Sequence, residues 1–189
     1  MVKRKTCVFI SGKGTNLKNL IYQSRNNNFP IKISLIISNN KKANGIKYAK
    51  IYKIPYIFIN TNLHNYNNKI FFNLKKYNIS FICLAGYMKI ISKKLVQNYK
   101  KKIINIHPSL LPKYKGLDTF SRALKNKEIK TGCTVHYVSE KLDSGDVILK
   151  KTFIIAKNDD VVSLKNKTQK LEYKAFPEAI IKIFRNINF

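Results

Sequence analysis

Ile103-Ile-Asn-Ile-His-Pro-Ser-Leu-Leu-Pro-Lys-Tyr-Lys-Gly116 is the stretch on which the reading of this chain turns. Its first four residues are an apolar run that predicts a short buried strand over 103–106. Strand side chains alternate between faces, so Asn105 and His107 project to one side at the strand's carboxyl end. Pro108 and Pro112 stop the strand and stiffen the chain beyond it, and Gly116 permits a sharp exit. An amide and an imidazole therefore stand together at the mouth of a sheet. Two readings of the pair stay open on this stretch alone. One is a site; the other is an Asn that caps a turn beside a core His bonded to nearby backbone.

On either side of this stretch, strands alternate with helices. Apolar runs predict further strands over 6–10, 31–38, 56–59, 81–84, 134–138 and 147–155. Helices are expected over 16–24, 43–52, 65–77, 92–99 and 118–125, with Leu17, Leu20 and Ile21 on one face of the first and Ser92 as an N-cap. A last helix starts near 161 and is expected to run to the end of the chain, broken or kinked at Pro177. The implied fold is α/β, a single domain over residues 1–189. Its sheet is mainly parallel and doubly wound (Rossmann-like), with helices on both faces, and ligands on such sheets bind beyond the carboxyl ends of the strands.

The 189 residues, 44% of them hydrophobic, suit one sizeable core. Cys7, Cys83 and Cys133 lie far apart without metal-ligand spacing and read as buried small hydrophobes in a reducing cytoplasm. No apolar run approaches a membrane span, and the amino terminus leads straight into a core strand, so a cytoplasmic, unprocessed product without membrane partners is expected. The formal net charge of +28 raises a nucleic-acid reading. Lysines are spread over nearly every predicted helix and loop, however, and no nucleic-acid motif accompanies them, so no specific nucleic-acid partner is expected.

Ser11-Gly-Lys-Gly-Thr-Asn16 joins the first strand to the first helix. It lacks the third glycine of a dinucleotide fingerprint, and Ser38-Asn39-Asn40 offers no acid to a ribose. What remains is a glycine turn feeding a helix amino terminus, which suits a monophosphate, with Thr15 and Asn16 as side-chain donors, or a tight turn that holds nothing. Two more loops are expected at the same sheet edge. Leu84-Ala-Gly-Tyr-Met-Lys-Ile-Ile91 is small and then apolar, as a flat ligand would need. In the 141–146 loop Gly145 permits a turn that could aim Asp143 at the strand mouth, where a carboxylate could orient and charge His107. His64 and His136 are too isolated to form a metal site, and His136 reads as a supporting strand residue.

Together with Gly132-Cys-Thr-Val-His-Tyr-Val-Ser-Glu-Lys-Leu-Asp-Ser-Gly145, these segments resemble the phosphoribosylglycinamide formyltransferases, folate-dependent enzymes of purine synthesis, over most of the chain. The resemblance implies a catalytic group of Asn105, His107 and Asp143. It assigns Gly14, Thr15, Asn16 and Glu172 to glycinamide ribonucleotide. The pterin of the co-substrate 10-formyltetrahydrofolate falls to Met88, Lys89, Ile90 and Ile91 with Asn105, Glu140, Lys141 and Asp143. No metal is implied, and a cis bond before Pro112 is. Lys89 stands where the family often has Arg, and Leu63, His64 or Asn65 falls where it has an Arg near the folate tail. A protonated His107 and the Asn105 amide would then stabilise the oxyanion of a tetrahedral intermediate. A formyltetrahydrofolate deformylase would share the catalytic group without the phosphate turn, and a transfer-RNA formyltransferase would need a further domain. A basic nucleic-acid-binding module is the rival from outside enzymology.

Overall fold

Branched and aromatic side chains dominate the segments that become strands, and Gly, Asn or Pro closes most of them. The computed structural model describes residues 2–185. The strands are β1 (Arg4–Ile10), β2 (Ile31–Ser38), β3 (Tyr56–Phe58), β4 (Phe81–Leu84), β5 (Ile103–His107), β6 (Lys130–Tyr137) and β7 (Val147–Ile154). The helices are α1 (Thr15–Ser24), α2 (Ile46–Ile51), α3 (Tyr66–Lys76), α4 (Lys93–Asn98), α5 (Thr119–Lys125) and α6 (Val161–Arg185). The sheet order is β3-β2-β1-β4-β5-β6-β7. This is the expected α/β fold, a mostly parallel sheet flanked by helices. Residue contacts divide the chain into two units, Met1–Ile104 and Asn105–Phe189.

In the first unit β1 pairs in parallel with both β2 and β4, and β2 with β3. Winding therefore reverses between β1 and β4, the point at which open parallel sheets bind ligands. Val8, Phe9 and Ile10 of β1 are fully buried, as are Leu35, Ile36 and Ile37 of β2, which is why these strands read as continuous apolar runs. Leu17, Leu20 and Ile21 of α1 are buried at helical spacing as expected. Ser92 caps α4, its side chain accepting from the Leu95 N–H at 3.3 Å. The helix expected over 43–52 is only Ile46–Ile51, because Asn40 turns the chain back through an Ala43 N–H bond to its carbonyl at 3.2 Å.

In the second unit β6 and β7 are antiparallel, and β6 begins at Lys130, earlier than the expected 134, because Lys130 pairs with Ile154. Gly132 sits in that ladder where a Cβ would lie 1.9 Å from the Lys151 carbonyl oxygen. Helix α6 packs on this hairpin through Leu164, Ala175, Phe176, Ala179 and Ile180. Pro177 does not break it: the helix runs through as one 25-residue element. Residues 186–189, where that helix was expected to end, lie outside the described residues.

The start of α6 is tied down twice. Asp160 and Ser163 cap reciprocally, the Ser163 N–H donating to Asp160 Oδ1 at 2.7 Å and the Asp160 N–H to Ser163 Oγ at 3.0 Å. Asp159 accepts from Lys167 Nζ at 2.7 Å, from the Ser163 hydroxyl at 2.7 Å and from the Ala156 N–H at 2.8 Å, and these bonds hold its carboxyl down at about 2. All nine acidic residues of the chain lie from Asp118 onward. Removing the cap in Asp160→Ala should lower stability by about 1 kcal/mol, read as a fall in urea midpoint with unchanged slope. An unaltered midpoint would show that α6 does not need this cap.

Candidate active site

In residues 105–189, Asn105 and His107 leave the same face of β5, as alternation predicts. Beyond them the chain turns through Pro108 and a cis Leu111-Pro112 bond, the isomer expected before Pro112. This loop is anchored to β6, where Thr134 Oγ1 donates to the Ser109 carbonyl at 2.7 Å and accepts from the Leu111 N–H at 3.1 Å. It also carries Tyr114 in the left-handed region, φ 56°. The Tyr114 hydroxyl donates to Glu128 at 2.8 Å, Asn126 Nδ2 donates to that hydroxyl at 3.0 Å, and the Arg122 guanidinium lies 5.2 Å from the ring centre.

The strained Tyr114 backbone has a use. Its carbonyl lies 2.8 Å from His107 Nε2, and since a carbonyl only accepts, Nε2 carries the proton. His107 Nδ1 is then the open position, and it faces Asp143 Oδ2 at 3.4 Å. Asp143 also accepts from the Gly116 N–H at 2.9 Å, and its Oδ1 lies 3.6 Å from His136 Nε2. Burial pushes the His107 pKa below its ordinary 6.5, although the Tyr114 bond and the Asp143 charge pull the other way. Burial also works to raise Asp143, but its neighbours, the His136 ring, the Gly116 N–H and His107, hold it below the usual carboxylate range. Nε2 thus carries a proton in either charge state, and burial and the Asp143 charge act on the proton of Nδ1 in opposite directions. Asp143 stands where it was expected, within reach of His107, and its charge favours the imidazolium while desolvation opposes it.

Gly145 also works differently from expectation. Asp143 itself takes the left-handed backbone, φ 44°, while Gly145 is required for space: a Cβ there would lie 1.8 Å from the Tyr137 carbonyl oxygen. Glu140 and Lys141 are exposed at the tip of this loop. Glu172 lies on α6 near Cys133, whose thiol burial, aided by the Glu172 charge, pushes up to about 12. Tyr114 and Gly116 were missed as partners of the site; the only sequence signal for them is their place in the Pro- and Gly-punctuated run after β5.

In residues 1–104 the glycine turn is built by close backbone approach. Gly14 adopts φ 71° ahead of α1, and a Cβ on it would fall 2.4 Å from Gly45 Cα. The Gly45 N–H donates to the Gly12 carbonyl at 2.9 Å. Sequence reading missed Gly45, although a glycine just before a helix was a usable signal. Ser11 ties three segments together. Its N–H donates to the Gly86 carbonyl at 3.1 Å, its hydroxyl donates to Asn39 Oδ1 at 2.5 Å, and the Met88 N–H donates to that hydroxyl at 2.7 Å. Thr15 and Asn16 begin α1, whose first N–H groups and dipole favour an anion. Met88 and Ile90 are 65% and 72% exposed and Lys89 is exposed, but Ile91 points into the core. Three of the four loop side chains thus face solvent.

A formyl transferase family model matches residues 4–180. Phosphoribosylglycinamide formyltransferase of Haemophilus influenzae is 39% identical over 181 residues, 94% of this chain and 85% of that protein. The human trifunctional purine biosynthetic protein adenosine-3 is 38% identical over 94% of the chain, which spans 18% of that protein's length. The solved phosphoribosylglycinamide formyltransferase of Coxiella burnetii superposes with a TM-score of 0.89 at 36% identity, covering 95% of this chain and 86% of that one. That of Brucella melitensis superposes with a TM-score of 0.91 at 30% identity, covering 100% and 98%.

Two outcomes test the geometry. His107 should titrate below 6.5 by NMR, and lower still in Asp143→Asn, where the attraction that favours its charged form is gone. An upward shift in that variant would contradict the assigned electrostatics. Gly145→Ala should destabilise by about 2 kcal/mol or more, since the added methyl meets backbone that must move.

Proposed function

The chain belongs to the formyl transferase family, and we propose that it transfers the formyl group of 10-formyltetrahydrofolate to the amine of glycinamide ribonucleotide in purine synthesis, residues 1–189 acting as one domain. The observation that carries this reading is the setting of His107, one ring nitrogen tied to a carbonyl and the other 3.4 Å from the Asp143 carboxylate. Moving a formyl group between two nitrogens requires a tetrahedral intermediate and the passage of one proton from the attacking nitrogen to the leaving one.

The substrate amine forms a bond to the formyl carbon while the carbonyl electron pair moves to oxygen. The Asn105 amide donates to that oxyanion. The proton shed by the attacking nitrogen passes, directly or through water, to His107 Nδ1, and Asp143 stabilises the imidazolium. The same proton goes to the folate nitrogen as its bond to carbon breaks. Gly14, Thr15 and Asn16 take the phosphate, and Glu172 serves the ribonucleotide. Met88, Lys89 and Ile90, supported by Ile91, receive the pterin with Asn105, Glu140, Lys141 and Asp143. The mechanism calls on no metal. The buried free thiols of Cys7, Cys83 and Cys133 suit a reducing cytoplasm. No helix among the described residues is long and apolar enough to cross a membrane.

With 10-formyltetrahydrofolate the pure protein should formylate glycinamide ribonucleotide and release little formate without it. Equal formate release in its absence would mean hydrolysis instead. A chelator should leave the rate unchanged, and a loss restored only by a divalent ion would refute the metal-free route. Asp143→Asn should lower turnover about 100-fold or more with little change in ribonucleotide affinity, whereas Thr15→Ala should mainly raise the KM for ribonucleotide. Duplex DNA should bind weakly and without sequence preference at physiological salt, because the lysines are spread along the whole chain and not gathered in one motif.

A further inference from the structure

His136 lies outside the group assigned above, yet it touches two of its members. Its Nε2 is 3.2 Å from Asn105 Nδ2 and 3.6 Å from Asp143 Oδ1, and the ring is 2% exposed. We infer that His136 is a positioning residue that fixes which way the Asn105 amide faces, and so decides that Asn105 presents an N–H to the reacting oxygen. The clause about the reacting oxygen rests on the formyl-transfer reading; the orientation of the amide belongs to the resting protein.

An Asn side chain has two ends of nearly equal shape, so packing alone cannot choose between them. Hydrogen-bond chemistry can. The other ring nitrogen, His136 Nδ1, lies 2.8 Å from the Tyr137 carbonyl oxygen, an atom that only accepts, so Nδ1 bears the proton. In the neutral ring Nε2 is then a bare acceptor. A flipped Asn105 would set its own oxygen 3.2 Å from that lone pair, two acceptors with no proton between them in a half-buried place. With Nδ2 inward, one amide hydrogen meets Nε2 and the second is left for the substrate side.

The surroundings hold the ring in this state. β6 neighbours β5 in the sheet, and its pairing with β7 shifts register between Val135 and His136, a break that re-aims the following side chain. The Tyr137 carbonyl is confined by Gly145, and the Tyr137 N–H is bonded to the Asp146 carbonyl at 2.9 Å. His136 is thus to Asn105 what the Tyr114 carbonyl is to His107.

The first test needs no substrate. In protein labelled with 15N, the ring of His136 should show the Nδ1–H tautomer at neutral pH, with a through-bond coupling from its Nε2 to Asn105 Nδ2. An Nε2–H tautomer or an imidazolium at neutral pH overturns the inference. The second test is kinetic. His136→Gln keeps an acceptor near the Nε2 position and should stay within about 3-fold of wild type, whereas His136→Phe should lower kcat about 10-fold or more with both KM values little changed. In an Asn105→Ala background the Phe substitution should cost less than about 2-fold, since nothing is left to orient. Equal losses in both backgrounds would mean that His136 acts through the fold or through Asp143. Should the Phe variant fail to show a cooperative melt, His136→Asn, whose amide reaches only the Nδ1 position, takes its place. Wild-type protein without formyl transfer would sink the function reading while leaving the tautomer measurement to decide this one.

Discussion

A carbonyl oxygen can accept a hydrogen bond and never donate one, and the polar cluster of residues 105–185 depends on two of them. The Tyr114 oxygen puts the proton of His107 on Nε2, and the Tyr137 oxygen puts that of His136 on Nδ1. The other two ring nitrogens, His107 Nδ1 and His136 Nε2, lie 3.4 and 3.6 Å from the two Asp143 oxygens. Both oxygens are themselves immobilised, Tyr114 by a strained backbone and a ring held by Glu128, Asn126 and Arg122, Tyr137 by the absence of a side chain at Gly145. Strain at such a point is sustained by the contacts around it and fixes the geometry where chemistry needs it.

The first unit solves a related problem with a different device. A turn in which two loops meet backbone to backbone must bring chain segments within a few ångströms of one another, and side chains stand in the way. Gly14 and Gly45 remove them, so two loops meet Cα to Cα. Ser11 then joins the end of β1 to the segments following β2 and β4, with one residue serving three bonds at the winding reversal. A larger residue at any of these positions would separate the loops, and a small apolar one at Ser11 would leave the Met88 N–H without its acceptor.

What could be read from residue order was whatever depends on local periodicity. The strand and helix alternation, the buried stripe of Leu17, Leu20 and Ile21, the Ser92 cap and the shared face of Asn105 and His107 all follow from spacings of two, three or four residues. The bond of Asp143 with the Gly116 N–H, by contrast, joins positions 27 apart. The burial that lowers the His107 pKa depends on how much water the fold excludes, which no spacing encodes. Gly145 was recognised as special for the wrong reason: dihedral freedom is a property of the residue, but collision with the Tyr137 oxygen is a property of the hairpin register. The ends of β6 and α2 moved for the same kind of reason, a partner strand in one case and a local turn in the other.

The placement of the acidic residues sets how the molecule meets low pH. Acid unfolds proteins mainly by protonating carboxylates that the native state holds ionised. Residues 1–104 contain no side-chain carboxylate, so acid has no such handle on their strands and helices. In the other unit Asp159, held down at about 2 against an ordinary 3.8, contributes stability that is fully present above the ordinary value and lost as pH falls through the native one. Protonation there releases Lys167 and the Ala156 N–H from the foot of α6. Acidification thus works on the chain from its carboxyl-terminal half, where the long helix loses its lower tether while the glycine turn after β1 has no carboxylate to lose.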